Sequence, residues 1–317
     1  GESATNAAMA AAVLPRFADA LEIAAGRLGD AEALAAVPEV RRFAVGQARA
    51  LQRHAWNGEW LSRAWVPVNE SSAGARDFPG GWACTNGADR RLCLEPQPWA
   101  ILASSRAPEA AAVLSEAEVR SLIGAIEREL RAGSPLGATV LSRPFRRAAD
   151  PGQHENGGVW PSQNHPLVLA LAAANASAAW DEWIRNSRAT QARHHPELWP
   201  GLWSAADVTT SHLSGDGQAG VSAWPSMPVL CTHAHAWPVY SAARLAGLTF
   251  DASGVTFRPA VPLQAGDYRF ESKIAGIGRR HLGEGRYAYE GRYEPAGQGD
   301  CVVALDLSGV PGYAEAR

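Results

Sequence analysis

The chain has 317 residues, 46% of them hydrophobic and 19% charged, with a formal net charge of −3, enough apolar material to bury a sizeable core in one large or two smaller domains. With 29 basic against 32 acidic residues there is no cationic surplus to neutralise phosphates, which argues against nucleic acid as a partner. No apolar run reaches the roughly 18 residues of a spanning helix, and the first residues lack the basic stretch of a secretory signal, so no membrane partner and a cytoplasmic location are expected, or a periplasmic one if an upstream part carries a signal.

Taken in order, residues 3–26 and 38–55 carry Ala, Leu, Val and Ile at helical spacing, with Pro15 and Pro38 as punctuation, and predict a helical hairpin. Asn57-Gly58 then predicts a tight turn, and the alternation from Trp60 to Trp65 a short strand after it. A helix is expected at about 98–106, and another opening at Ser115-Glu-Ala-Glu, where Ser115 can cap and the acids complement the dipole, and ending near Ala132-Gly133. A polar stretch over 150–166 reads as loop, followed by one long or two abutting helices through the Ala-rich run to about 189. A last helix is expected at about 236–246. From Leu248 the period changes to two, in runs at 248–251, 255–258, 268–271 and 301–307, which predicts a small all-β unit at 248–317 behind a helical body at 1–247.

The four cysteines are too few and too scattered for a disulfide scaffold; Cys84 and Cys93 could staple the loop between them, but free thiols are the expected state. The twelve tryptophans are unusual. Trp packs cores, and it also stacks on the CH-rich face of a pyranose while its N–H donates to a hydroxyl. Trp56, Trp99, Trp180 and Trp183, on amphipathic segments, read as core.

Three polar clusters fall on different connections, where functional side chains concentrate. The first holds His154, Glu155, Asn156, Trp160, Gln163, Asn164 and His165, with Gly157-Gly158 allowing close approach of backbone to a ligand. The second, from Trp199 to His212, contains Trp203, Asp207 and His212, where Asp207 reads either as an acid for chemistry or as a cap on the following Thr209 and Thr210 N–H groups. The third, just before the last predicted helix, holds Thr232, His233, His235 and Trp237.

His54-Ala-Trp-Asn-Gly-Glu-Trp, Leu94-Glu-Pro-Gln-Pro-Trp-Ala-Ile-Leu, Glu155-Asn-Gly-Gly and Ala205-Ala-Asp-Val stand in this order along the chain. In that order they resemble the landmarks of the cellobiose-phosphorylase-like enzymes of glycoside hydrolase family 94. The resemblance covers roughly residues 1–265 and implies an (α/α)6 barrel followed by a small β domain, with inverting cleavage of β-glucosidic bonds in an oligosaccharide. It also implies that Gly1-Glu2-Ser3 falls just after the general-acid Asp, so that the acid and the first half of the barrel are expected upstream of this polypeptide as a partner segment. Relatives pairing as dimers make a homodimer the expected assembly. In place of the family's phosphate contacts this chain has Ser162, and Thr232 followed by His233. One donor is kept and one imidazole lost, so inorganic phosphate and water are both open as the nucleophile, and no other cofactor is implied.

Inversion needs a base on the sugar face opposite the acid, with room for a water between the two carboxyl groups. Glu155 is the candidate, with Asp207 as fallback, and His154, Asn156, Trp160, Gln163, Trp203, Thr232, His233 and His235 as substrate contacts. Two other readings remain: a non-catalytic carbohydrate-binding protein, and a metal-dependent hydrolase in which His233 and His235 face the same way on a strand.

Overall fold

The computed structural model describes residues 2–66, 81–82, 90–105, 112–145, 150–194, 196, 207–215, 232–250, 254–294, 302–308 and 310. Among them the protein is mainly helical, with small sheets.

The amino-terminal hairpin is β1 (Glu2–Ser3), α1 (Ala4–Leu28) and α2 (Ala31–Ala50), the last continuing through one wider turn over Leu51–Ala55. Ser3 caps α1 by accepting from Asn6 N–H at 3.2 Å, Gly29 ends it at φ 69°, and Asp30 caps α2 by accepting from Ala33 N–H at 3.0 Å. Pro15 and Pro38 do not punctuate these helices but lie inside them. Both rings are solvent-exposed, and each deletes one backbone bond, a cost of ~3 kcal/mol that tertiary packing of the buried faces outweighs.

After the hairpin, Asn57 Oδ1 accepts from Glu59 and Trp60 N–H, so the predicted turn is present, and the strand that follows is short: β2 (Ala64–Val66), between β1 and β3 (Gly81–Trp82). Helix α3 (Gln97–Ser104) is tied to that turn by Gln97, whose buried amide accepts from Leu61 N–H at 3.0 Å and donates to Leu61 and Cys93 carbonyls at 2.8 Å. Cys93 is buried; Cys84 lies outside the described residues. Helix α4 (Glu116–Ile126) opens with the predicted cap in its reciprocal form, Ser115 Oγ accepting from Glu118 N–H and Glu118 Oε2 from Ser115 N–H. A wider turn over Glu127–Arg131 closes it before Gly133, at φ 76°.

Besides α2, which begins at Ala31 rather than at the expected 38, two boundaries differ from the sequence expectation. Helix α5 (Pro161–Ala172) begins inside the stretch read as loop, because Pro161 sits at its first position, where a missing N–H costs nothing. Helix α8 (Thr232–Ala246) begins four residues before the expected 236, with Pro238 in its interior. Between them lie α6 (Ala176–Arg185), capped by Asn175, and α7 (Arg188–His194). Helix α5 packs against α3, α6 and α8, and α1 against α2 and α3. Leu61, Leu92, Ile101, Leu122, Ile126 and Leu171 centre the core they share, and Trp56, Trp99, Trp180 and Trp183 pack against it as expected.

The tail forms two three-stranded sheets. One is β4 (Leu248–Phe250), β5 (Gly254–Phe257) and β9 (Val302–Leu305), with β9 parallel to β5; the other is β6 (Tyr268–Glu271), β7 (Ala275–Gly283) and β8 (Arg286–Tyr293). The β7–β8 hairpin was not among the predicted strands, since its glycines interrupt the apolar alternation. Its turn carries positive φ at both central residues, Glu284 (52°) and Gly285 (72°), the geometry that matches strand twist. Buried Arg279 on β7 donates to the carbonyls of Val261, Pro262 and Gly266 and lies over the Tyr268 ring, while Tyr268 packs against both the helical core and the sheet cluster.

Candidate functional site

Residues 150–160 fold as a tight, self-bonded turn rather than an open loop. His154–Asn156 make a single 3-10 turn; His154 holds φ at +42° and Gly157 follows at φ +109°. His154 carbonyl accepts three times, from Gly157 N–H, from Gly158 N–H at 2.9 Å and from Trp160 Nε1–H at 3.0 Å. Asn156 is buried, and its Oδ1 accepts from Phe145 N–H at 2.7 Å, while the Arg91 guanidinium sits 4.1 Å over the Phe145 ring. A positive φ at a non-glycine residue persists only where the surroundings over-determine it, and here four separate bonds do so.

The first two predicted clusters meet at this turn. Val159 and Thr209 exchange backbone bonds at 2.9 and 3.0 Å, and Ser211 N–H donates to Gly152 carbonyl at 2.8 Å. Glycine is required at the contact: a Cβ on Gly152, at φ +77°, would run into the Ser214 backbone, and one on Gly158 would stand 2.8 Å from His154 oxygen and Val208 Cγ2. Thr209, Thr210 and Ser211 are buried at this seam. Backbone pairing of this kind leaves no residue signature, and none of the three was expected as more than a cap partner for Asp207.

The side chains named in advance now separate. Glu155 is exposed and, among the described residues, makes no hydrogen bond or ion pair. His154 is half-buried beside it, and Asp207 is half-buried at the end of the paired segment. Trp160 is half-buried against Cys93, Val140 and Leu141, with its N–H already used on the turn. Gln163 is half-buried in the first turn of α5. Trp203 lies outside the described residues, as do the side chains of Thr232, His233 and His235, whose backbone forms the first turn of α8. That backbone is helical, so the strand alternation invoked for a His-x-His metal pair is absent. Among the described residues no group of three or more His, Cys, Asp or Glu gathers to hold a metal. No protein-family model matches the chain, and no curated protein is similar to it.

Asn164 and His165, read as part of the polar stretch, are buried on α5. Asn164 Nδ2 donates to Ala138 carbonyl at 2.8 Å and its Oδ1 accepts from Asn186. His165 Nδ1 lies 2.9 Å from Ser241 Oγ and joins α5 to α8. Burial, with nearby Arg188, holds its pKa at about 4, below the ordinary 6.5. The unfolded chain therefore takes up the proton first as pH falls, and stability present above about pH 6.5 is lost toward pH 4, by up to about 3 kcal/mol. Urea unfolding at several pH values across that window is expected to show this slope, and His165→Asn to flatten it; equal slopes would remove His165 as the cause.

Proposed function

We propose that this chain is a carbohydrate-active enzyme, or the carboxy-terminal part of one, that cleaves β-glucosidic bonds in oligosaccharides with inversion. Its helical part is then a portion of an (α/α)6 barrel, and the platform of residues 150–160 and 207–215 belongs to the rim of its active site. The observation that carries this reading is Glu155: an exposed carboxylate on a turn held rigid from both sides. Preorganisation of this kind is what a general base needs to hold a water at one face of the sugar. In this reading Asp207 is the alternate base, the turn through His154 and Asn156 fixes the backbone that carries Glu155, and the acid is supplied from upstream.

The test separates base from acid. A dinitrophenyl β-glucoside has a leaving group that departs without protonation, so the 317-residue chain should cleave it even if the acid lies elsewhere. β-Gluco-disaccharides should be cleaved only when the acid is present. Running both with and without inorganic phosphate, and following the anomer by NMR, distinguishes α-glucose from α-glucose 1-phosphate as product. Release of β-glucose, or no turnover of the activated glycoside, would overturn the proposal.

A further inference from the structure

We propose that Asn57 is a site of spontaneous covalent modification, losing its side-chain amide in the folded protein so that its link to Gly58 becomes an isoaspartyl one. Asn-Gly occurs three times in the chain, at 57–58, 86–87 and 156–157. The second lies outside the described residues. Glycine leaves the backbone nitrogen that follows asparagine unshielded by a Cβ, so all three share one intrinsic liability. The fold separates the two it describes.

The reaction begins with attack of the Gly58 nitrogen on Asn57 Cγ. An N–Cγ bond forms and the Cγ–Nδ2 bond breaks; the Gly58 N–H proton goes to the departing nitrogen, and ammonia leaves behind a five-membered succinimide. Water then opens the ring. Opening at the main-chain carbonyl leaves Gly58 attached through the side-chain carbon, with a carboxylate where the old peptide carbonyl stood. Amide and water become acid and ammonia, with no oxidant or cofactor.

The Asn57 turn favours the first step. Asn57 Oδ1 accepts from Glu59 N–H at 3.0 Å and from Trp60 N–H at 2.9 Å, so the side chain folds back along its own backbone, over the Gly58 nitrogen. The same two N–H groups stand where negative charge develops on Oδ1 in the tetrahedral intermediate, and fixed donors at that distance stabilise it. Gly58 is exposed at φ +97°, a Cβ there would meet nothing within 4 Å, and its N–H has no partner among the described residues. Asn57 Nδ2 has no hydrogen bond to retain it. At Asn156-Gly157 the attack is blocked: Asn156 is buried and its Oδ1 reaches away to Phe145 N–H, while Gly157 N–H is spent on the His154 carbonyl and Leu213 closes over Gly157.

Isoaspartate adds one carbon to the main chain at this turn, together with a negative charge. The Asn57 N–H to Trp60 carbonyl bond and the Trp56–Leu61 bridge lose register, and with them Leu61, which Gln97 clamps to α3. The modified chain is therefore expected to melt below the unmodified one.

The test is to incubate the full chain at mildly alkaline pH, folded or in guanidinium chloride. Trypsin then places the three sites in separate peptides, 54–63, 77–90 and 148–185, for mass spectrometry that resolves isoaspartate. In the folded chain Asn57 should convert at least about tenfold faster than Asn156, a barrier difference within reach of a pair of oxyanion donors. In guanidinium the two rates should converge. Asn57→Ser keeps a capping oxygen but has no amide to lose; it should leave peptide 54–63 unmodified and the fresh protein's far-UV circular dichroism unchanged. Asn156 converting as fast as Asn57 in the folded chain would overturn the proposal. So would an Asn57 that stays intact in the folded chain over a period in which the unfolded chain has converted.

Discussion

Glu155→Gln is expected to slow release of dinitrophenolate from an aryl β-glucoside by about 10²–10⁴-fold, the usual contribution of a positioned acid or base. The amide keeps the size of the side chain and loses only the ability to take a proton from water. The loss should fall on kcat more than on KM, since the carboxylate works mainly in the transition state. Its thermal midpoint should stay that of the wild type, because Glu155 is exposed and unpaired among the described residues. Asp207→Asn supplies the comparison: a larger loss there than at Glu155 would transfer the base to Asp207. A Glu155→Gln enzyme as fast as the wild type would end the assignment.

Arg131→Met is expected to destabilise the fold by about 3–5 kcal/mol, measured as a shift of the urea midpoint at constant slope. Arg131 is buried at 3% side-chain exposure, and Nε donates to Glu182 Oε2 at 2.7 Å, where Glu182 is fully buried. Its other donors reach Asp181, Glu127 and the Ala178 carbonyl, while its own carbonyl accepts from Arg185. Glu182 also accepts from Ala138 N–H at 2.8 Å, so the pair fixes the strand-like segment leading to the 150–160 turn. Removing the guanidinium leaves a carboxylate in the interior with one backbone donor, and the cost is mainly that unpaired charge. The double variant Arg131→Met, Glu182→Leu should therefore be more stable than the single one. A single variant within about 1 kcal/mol of the wild type would show that water or a neighbouring cation replaces Arg131.

The Ser115–Glu118 cap, the Asn57-Gly58 turn and the α1–α2 hairpin were legible because each depends on residues within one or two turns of one another. The starts of α5 and α8 were misread for the same reason. Pro166 and Pro238 look locally like helix boundaries, and only packing against neighbouring helices keeps each inside one. Gln97 stood inside a motif and is a buried clamp on Leu61 and Cys93. Asn164 and His165 looked like site residues and are interior ones, because their burial comes from Ala138, Asn186 and Ser241, which are remote in sequence.

By itself the sequence determined the mainly helical class, the change to period two at Leu248, the Ser115 cap and the concentration of polar side chains around Glu155. These follow from side-chain periodicity and short-range hydrogen bonding, both written into neighbouring residues. Tertiary structure alone decided that the 207–215 segment lies against the 150–160 turn, that Glu155 stays in solvent while Asn156, Asn164 and His165 go inside, and that one long face of α1 is left bare. Those outcomes depend on backbone groups and on which surfaces meet, and a peptide N–H or an uncovered alanine carries no mark in the order of the residues.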